Sequence, residues 1–108
     1  DLMDLRAIVS KTGGSTLLVA EGHCDEADEL YRRARSSPLA ALSVDGARGC
    51  LLQVEGGPHM TLKQVECVAD AFTQGLSSDA QVIIGARVSP ELGDRMRVVA
   101  VVSGLPKD

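Results

Sequence analysis

The fold is decided by a short stretch near the end of the chain, Val98-Val99-Ala100-Val101-Val102. Every side chain in it is apolar, and all except Ala100 are β-branched. Because successive side chains of a strand point to opposite faces of a sheet, a run that is apolar at every position is typical of a strand covered on both faces. The stretch therefore predicts a central strand, which extends from Met96 to Val102.

Three other segments have the composition of strands. Ser15 to His23 contains the apolar run Thr16-Leu17-Leu18-Val19-Ala20. Cys50 to Glu55 is mostly apolar and ends at Gly56-Gly57-Pro58, a combination that breaks regular structure. Gln81 to Arg87 is the last of the three. With the central strand, they predict a sheet of four strands.

Helical periodicity appears before and between these strands. A leading helix is indicated by apolar residues at helical spacing ahead of Gly13-Gly14, namely Leu2, Leu5, Ile8 and Val9. A second helix is expected to start at a cap formed by Asp25 and to run to about Ser36, before Pro38. Its buried face would carry Ala27, Leu30 and Ala34.

The longest helix is predicted to open at Thr61-Leu62-Lys63-Gln64, which has the form of a capping box. Its apolar stripe follows the helical period and comprises Leu62, Val65, Val68, Ala69, Phe72 and Leu76. The elements together predict an α/β fold, an α+β two-layer sandwich in which a four-stranded mixed sheet packs with two helices, plus the leading helix.

Length, composition and charge exclude several classes of protein. The chain has 108 residues, enough for one compact domain with an aliphatic core, since it contains one Phe, one Tyr and no Trp. A formal net charge of −4 argues against nucleic-acid binding, which requires a basic surface. No apolar run approaches the roughly 18 residues of a membrane span. The chain starts without an initiator Met or a signal peptide and ends abruptly, so we expect a segment of a longer protein.

Few residues carry an obvious chemical signal. Cys24, Cys50 and Cys67 are odd in number and widely spaced, so neither a disulfide framework nor metal chelation at a recognisable spacing is expected. His23 and His59 have no acid or thiol at the usual ligand or catalytic-triad spacing, although distant residues could converge on them.

Three glycine clusters lack the strand–loop–helix context or the Gly-Lys-Ser/Thr ending that a phosphate-binding loop requires, namely Gly13-Gly14, Gly46-Ala47-Arg48-Gly49 and Gly56-Gly57-Pro58. We therefore expect no cofactor-binding residue and no metal ligand in this chain.

Asp1 and Asp4 are the strongest candidates for a functional pair. Three residues apart, they would share one face of a helix with about 5–6 Å between their Cβ atoms. Two carboxylates on one face can orient and polarise a water molecule or help to hold a cation beside a phosphate. Acids in a first helical turn also simply favour the helix dipole, so the spacing alone leaves both interpretations open.

Several short blocks occur in a recognisable order: Asp1-Leu2-Met3-Asp4-Leu5-Arg6, Ser36-Ser37-Pro38-Leu39, Gly46-Ala47-Arg48-Gly49, Gly56-Gly57-Pro58, Thr61-Leu62, Ala80 to Ala86, Glu91 to Asp94, and Met96 to Gly104. This order resembles the C-terminal domain of the FtsZ family, the prokaryotic relatives of tubulin. In that family the first block reads Asn-x-Asp-Phe-x-Asp, the second Ser-Ser-Pro-Leu and the third Gly-Ala-Lys-Gly. Here Leu2 replaces the usual Phe, and the segment from His23 to Leu30 lacks the Arg of the family's Gly-x-x-Arg-Ala element.

The resemblance implies a specific role. FtsZ subunits stack head to tail, and the acidic loop of one subunit completes the GTP site in the N-terminal domain of the next. Carried over, residues 1–12 are the end of the activating loop and the following helix, residues 13–108 are the C-terminal domain, and Asp1 and Asp4 are the catalytic residues. The chain would be inactive alone and would act in cell division.

The resemblance also implies the cofactors, partners and location. GTP and Mg²⁺ would be cofactors of the full-length protein, and this chain would hold neither. The partners would be its own nucleotide-binding domain and adjacent FtsZ-like subunits in a polymer, without nucleic acid and without direct membrane insertion. The location would be cytoplasmic.

Two other functions stay open at this point. The first is a free-standing α/β module that binds a small molecule or regulates another protein, with a pocket at a subunit interface. The second is a small enzyme such as a mutase, using Arg48, Arg87 or Arg97 against an anionic substrate.

Overall fold

The sheet has four strands, as expected from the sequence. The structure, a computed structural model, describes residues 14–37, 40 and 43–105. The strands are β1 (Gly14–His23), β2 (Gly49–Gly56), β3 (Gln81–Val88) and β4 (Arg95–Leu105), in the spatial order β1-β4-β2-β3. β4 is antiparallel to both of its neighbours, whereas β2 and β3 are parallel. The predicted mixed sheet is therefore confirmed.

Two helices connect the strands. Helix α1 (Ala27–Ser36) lies between β1 and β2, and helix α2 (Leu62–Thr73) lies between β2 and β3. A short 3-10 turn (Pro90–Leu92) precedes β4. Neither helix of the described chain has the length and apolarity needed to cross a bilayer. The predicted leading helix lies outside the described residues.

β4 is a central strand, as its sequence predicts. Val98, Ala100 and Val102 are fully buried beneath the helices. Val99 and Val101 point to the opposite face and are half-buried. Because the buried residues of α1 and α2 belong to the core cluster on the first face, the described residues supply helical cover to that face alone. The described residues therefore do not provide the covering layer that the sequence predicts on the second face of β4.

The core is aliphatic apart from one aromatic pair. Phe72 of α2 is fully buried and contacts Tyr31 of α1 edge to face, with 5.2 Å between ring centroids and an interplanar angle of 75°. Such an aromatic pair stabilises the fold by more than its buried area alone implies. Leu30 and Ala34 of α1 are buried beside it, as the helical periodicity predicts.

Three details of the predicted helices are wrong. The predicted stripe residue Leu76 lies beyond Thr73, the last residue of α2. α1 begins at Ala27, so its flanking residue is Glu26, and the predicted cap Asp25 lies one position too early. The Asp25 carboxylate is instead held from α2, by the side chain of Gln64. On α2, the predicted stripe residue Leu62 is 74% exposed because it is the first residue of the helix, and burial begins one turn later at Val65.

Candidate functional site

Several strands and helices end or begin at one edge of the sheet. His23 of β1 pairs with Arg95 of β4, and Gly56 of β2 pairs with both Met96 of β4 and Val88 of β3. β1, β2 and β3 therefore all end at this edge, which we call the carboxyl edge, and β4 begins there. Both helices start just beyond it, which brings loop residues that are distant in sequence close together.

The turn after β1 forms a compact polar group at the carboxyl edge. The Nδ1 atom of His23 accepts a hydrogen bond from the backbone N–H of Asp25 at 3.1 Å and lies 3.9 Å from the Asp25 Oδ2 atom. The His23 Nε2 atom lies 3.5 Å from Oδ2 of Asp94. The backbone N–H of Cys24 donates to the carbonyl of Asp94 at 3.1 Å. We call His23, Cys24, Asp25 and Asp94 the turn cluster.

Gln64 links the turn cluster to helix α2. Its Nε2 atom donates to Sγ of Cys24 at 3.1 Å and to Oδ1 of Asp25 at 2.7 Å. Its Oε1 atom accepts from the backbone N–H of Thr61 at 2.8 Å, and its own N–H donates to the Thr61 hydroxyl at 3.1 Å. The predicted capping box is therefore confirmed, and one of its two side chains also holds the cluster.

The environment keeps the Cys24 thiol in its neutral form. Burial raises the pKa of Cys24 because it penalises the thiolate, and the carboxylates of Asp25 and Asp94 raise that pKa further. The thiol is therefore not an activated nucleophile, which requires a lowered pKa.

A small cavity lies beside the turn cluster. Its volume is about 220 Å³, and it is lined by His23, Cys24, Asp25, Gly57, His59, Met60, Gln64, Gly93 and Asp94. Sites for drug-sized molecules are larger, at roughly 300–1,000 Å³. A Cβ atom at Gly57 would lie 1.8 Å from the carbonyl oxygen of Gly93, so the Gly56-Gly57 turn packs directly on the turn before β4. The cavity has room for an ion with its water, or for a small polar molecule.

A row of ion pairs crosses the sheet near the same edge, on the face opposite the helices. Glu21, Arg97, Glu55 and Arg87 are successive register partners across the four strands. Arg97 contacts Glu21 at 3.2 Å through Nε and Glu55 at 3.2 Å through Nη1. Arg87 Nε lies 3.6 Å from Glu55 Oε2, and Arg95 Nε lies 3.3 Å from Glu21 Oε2.

These contacts bear on the expectation of a small enzyme. Arg87 and Arg97 are both paired with Glu55, and Arg48 is paired with Asp79 at 3.3 Å. Arg48 precedes the first residue of β2, so it lies at the opposite edge of the sheet. The three arginines do not converge on one anion site.

The described residues include both histidines but neither of the predicted catalytic residues. Asp1 and Asp4 lie outside the described residues. His59 is exposed and lines the cavity beside His23. Asp94 was missed, because only the antiparallel pairing of β1 with β4 brings it to His23. Its sequence signals are its place in the block Glu91 to Asp94 and in Gly93-Asp94, a turn-forming pair directly before the central strand.

The sequence matches the profile described as "FtsZ family, C-terminal domain" over residues 13–106. Among curated proteins, the chain is 33% identical over 111 residues to "Cell division protein FtsZ 2" of Methanocaldococcus jannaschii. It is 36% identical over 106 residues to "Cell division protein FtsZ 1" of Archaeoglobus fulgidus. Each alignment covers 97% of this chain and 29% of the relative, so the chain spans less than a third of the length of these proteins.

The fold is also similar to a solved structure from the same group. An FtsZ dimer of M. jannaschii, solved empty, superposes with a TM-score of 0.80 and 30% sequence identity. The similarity covers 96% of this chain and 31% of the solved chain. The two-layer sandwich with a four-stranded mixed sheet is thus a fold that this neighbour shares.

Proposed function

Because this chain belongs to the FtsZ family, as a C-terminal domain, we propose that it is the assembly and GTPase-activating part of a cell-division GTPase. In this proposal the chain docks on the nucleotide-binding domain of an adjacent subunit and supplies acidic residues to its GTP. The observation that carries the proposal is the match of residues 13–106 to the C-terminal domain of the family, directly after the acidic pair Asp1 and Asp4.

The proposed chemistry is phosphoryl transfer to water. Such a reaction depends on positioning and on electrostatic stabilisation, and it asks for no covalent step by the protein. Asp1 and Asp4 would orient and polarise the attacking water from one side of the phosphate. GTP and Mg²⁺ belong to the nucleotide-binding domain in this scheme. Hydrolysis is then slow in a monomer, because docking of a second subunit brings the acids to the phosphate at high effective concentration.

Exposed apolar side chains support an assembly role. Val82, Ile84 and Val88 are 37%, 48% and 55% exposed, and all three lie on β3, the last strand in the sheet order. Leu62 is 74% exposed at the start of α2. Large apolar side chains grouped on one edge strand are typical of a protein–protein surface. We assign this surface to an adjacent FtsZ-like subunit, and the M. jannaschii neighbour is itself described as a dimer.

The proposal includes the setting of the longer protein. The partners are its own nucleotide-binding domain and further FtsZ-like subunits in a head-to-tail polymer, and the location is the cytoplasm. Nucleic acid is not a partner, in keeping with the net charge of −4.

The test is Asp4→Ala in this chain joined to its nucleotide-binding domain. We expect GTP turnover in polymers to fall by about 10²-fold or more, the usual contribution of a positioned acid or base, while GTP affinity changes less than about 2-fold. Phosphate release, nucleotide binding and pelleting of polymers measure the three quantities. Asp28→Ala, on the exposed first turn of α1, is the matched control and should leave all three unchanged. Unchanged hydrolysis in Asp4→Ala polymers would contradict the assigned role.

The cavity of about 220 Å³ favours a second candidate function, a small-molecule-binding or regulatory module. That function predicts saturable binding of a small polar ligand by the 108-residue chain without any nucleotide-binding domain. Isothermal titration against a library of small polar metabolites distinguishes it from the first proposal.

A further inference from the structure

We propose that His23, Cys24 and Asp25 form a binding site for a transition-metal ion of the zinc type, in the turn that joins β1 to α1. Each residue offers one ligand atom, and the three atoms all lie within 4.8 Å of one another. This site departs from the expectation drawn from the spacing of the cysteines, and it is independent of the assembly role proposed above.

The donor set selects the metal. An imidazole nitrogen, a cysteine sulfur and a carboxylate oxygen match the preferences of Zn²⁺ and Co²⁺, whereas Mg²⁺ and Ca²⁺ prefer oxygen ligands alone. Zinc–ligand bonds of 2.0–2.3 Å in tetrahedral geometry place neighbouring ligand atoms about 3.4–3.6 Å apart. The 3.9 Å between His23 Nδ1 and Asp25 Oδ2 is close to that separation. The Asp25 side chain is 66% exposed and can make the small closing movement.

The imidazole is already oriented for binding through Nδ1. The Nδ1 lone pair points into the turn, where it accepts a hydrogen bond from the backbone N–H of Asp25, and a bound ion would replace this hydrogen bond. The Nε2 atom lies 3.5 Å from a carboxylate oxygen of Asp94 on the other side of the ring. A carboxylate on the far nitrogen of a histidine ligand is the arrangement that fixes its tautomer in zinc sites.

A second side chain orients the other two ligands. Gln64 Nε2 donates to Cys24 Sγ at 3.1 Å and to Asp25 Oδ1 at 2.7 Å, which leaves Asp25 Oδ2 facing His23. The amide therefore holds both residues in place without using the oxygen that would bind the metal. Gln64 thus supplies outer hydrogen bonds to two of the ligands, and the Asp94 carboxylate lies 3.5 Å from the imidazole of the third, in the outer positions that tune metal ligands.

The site has access to solvent and an open coordination position. The His23 side chain is 41% exposed, and the cavity of about 220 Å³ lies next to it. Three protein ligands leave a fourth tetrahedral position for water. The neutral Cys24 thiol would release its proton to solvent as the ion binds. A bound ion would join the end of β1 to the approach of α1 and, through Gln64, to the capping box of α2, so binding should stabilise the folded chain.

The experiment is a Co²⁺ titration of the 108-residue chain, followed by displacement with Zn²⁺. We expect a saturable thiolate-to-cobalt charge-transfer band at one ion per chain, together with a rise in the Tm of roughly several degrees on adding Zn²⁺. Cys24→Ser should abolish the band and the rise in Tm. Asp25→Asn and His23→Gln should each weaken affinity at least about 10-fold, and Gln64→Ala should weaken it about 10-fold through the lost outer hydrogen bonds.

Cys67→Ser is the control for the neighbouring thiol, because Cys67 is exposed on α2 and lines a cavity of about 240 Å³ together with Cys24 and Asp25. It should leave both signals unchanged. Circular dichroism confirms the fold of each variant. The half-buried His23 and the exposed Asp25 still provide the test if the Cys24→Ser variant unfolds. The proposal is overturned if the wild-type chain gives no band, or if Cys67→Ser removes the band as completely as Cys24→Ser, which would show that two thiols, and not the three turn residues, hold the metal.

Discussion

Glu55 shows how one side chain can hold three strands together. Its carboxylate accepts a hydrogen bond from the Ser89 hydroxyl and pairs with Arg87 of β3 and Arg97 of β4. The Ser89 hydrogen bond, followed by the two guanidinium groups, lowers the pKa of Glu55 below its ordinary value of 4.5. The Glu55 carboxylate therefore binds a proton more readily in the unfolded chain than in the folded chain. The stability that Glu55 contributes is present above pH 4.5 and is lost as the pH falls through the lowered folded pKa.

We predict that Glu55→Gln reduces the acid sensitivity of the fold. Between about pH 5 and pH 3 the urea midpoint of the wild-type chain should fall, and the variant should show a shallower fall because it has no carboxyl to protonate. Glu66→Gln, an exposed position on α2, is the control and should keep the wild-type slope. Equal slopes for the wild type and Glu55→Gln would show that the ionised Glu55 carboxylate does not contribute to stability.

The candidate site was only partly predictable at this scale. His23, Cys24 and Asp25 are adjacent in sequence, but adjacency says nothing about whether their ligand atoms converge, since that depends on the turn they adopt. Asp94 and Gln64 reach the same place through strand pairing and through the position of α2. Asp1 and Asp4 come from the resemblance of a local motif, and their role stays a prediction.

Helix α2 illustrates the part of the fold that local sequence determines. The capping box needs only two residues three positions apart, so Thr61 and Gln64 predict it from the sequence. Both expected hydrogen bonds are present in the structure. The strand segments were also predicted to within a few residues, since alternation and chain-breaking glycines are local signals. Asp25 and Leu62 are misplaced for tertiary reasons. The Asp25 carboxylate accepts a hydrogen bond from Gln64 of the other helix, and Leu62 lies before the turn of α2 that packs on the sheet.

We predict that Thr61→Ala destabilises the chain by about 1 kcal/mol, within the range of about 0.5–2 kcal/mol for losing an N-cap side chain. The backbone N–H of Gln64 then loses its acceptor at the start of α2. Urea unfolding measures the loss. Glu66→Ala, an exposed position in the same helix, is the control and should change the free energy of unfolding by less than about 0.5 kcal/mol. A Thr61→Ala variant as stable as this control would show that the cap does not support the helix.

At the scale of the whole molecule, stability depends on one layer of helices packed on one face of the sheet. Phe72 lies in that interface, fully buried among core residues and in contact with Tyr31 of the other helix. Its ring therefore joins α1, α2 and the sheet into a single core. A chain of this size buries a smaller share of its surface than a large domain does. Each such contact is therefore a large part of the total stability.

We predict that Phe72→Ala costs about 3–5 kcal/mol, because it removes a buried ring and leaves a cavity between the two layers. Small domains are stable by roughly 5–15 kcal/mol, so this one change should bring the chain close to unfolding. Leu62→Ala is the matched control on the same helix and should cost less than about 0.5 kcal/mol, since Leu62 is 74% exposed. Urea midpoints of the two variants give the comparison. Similar losses of stability in the two variants would mean that the helices do not pack on the sheet through Phe72. A large loss of stability in Phe72→Ala alone would show that Phe72 builds the core, whereas Leu62 is free to contact a partner.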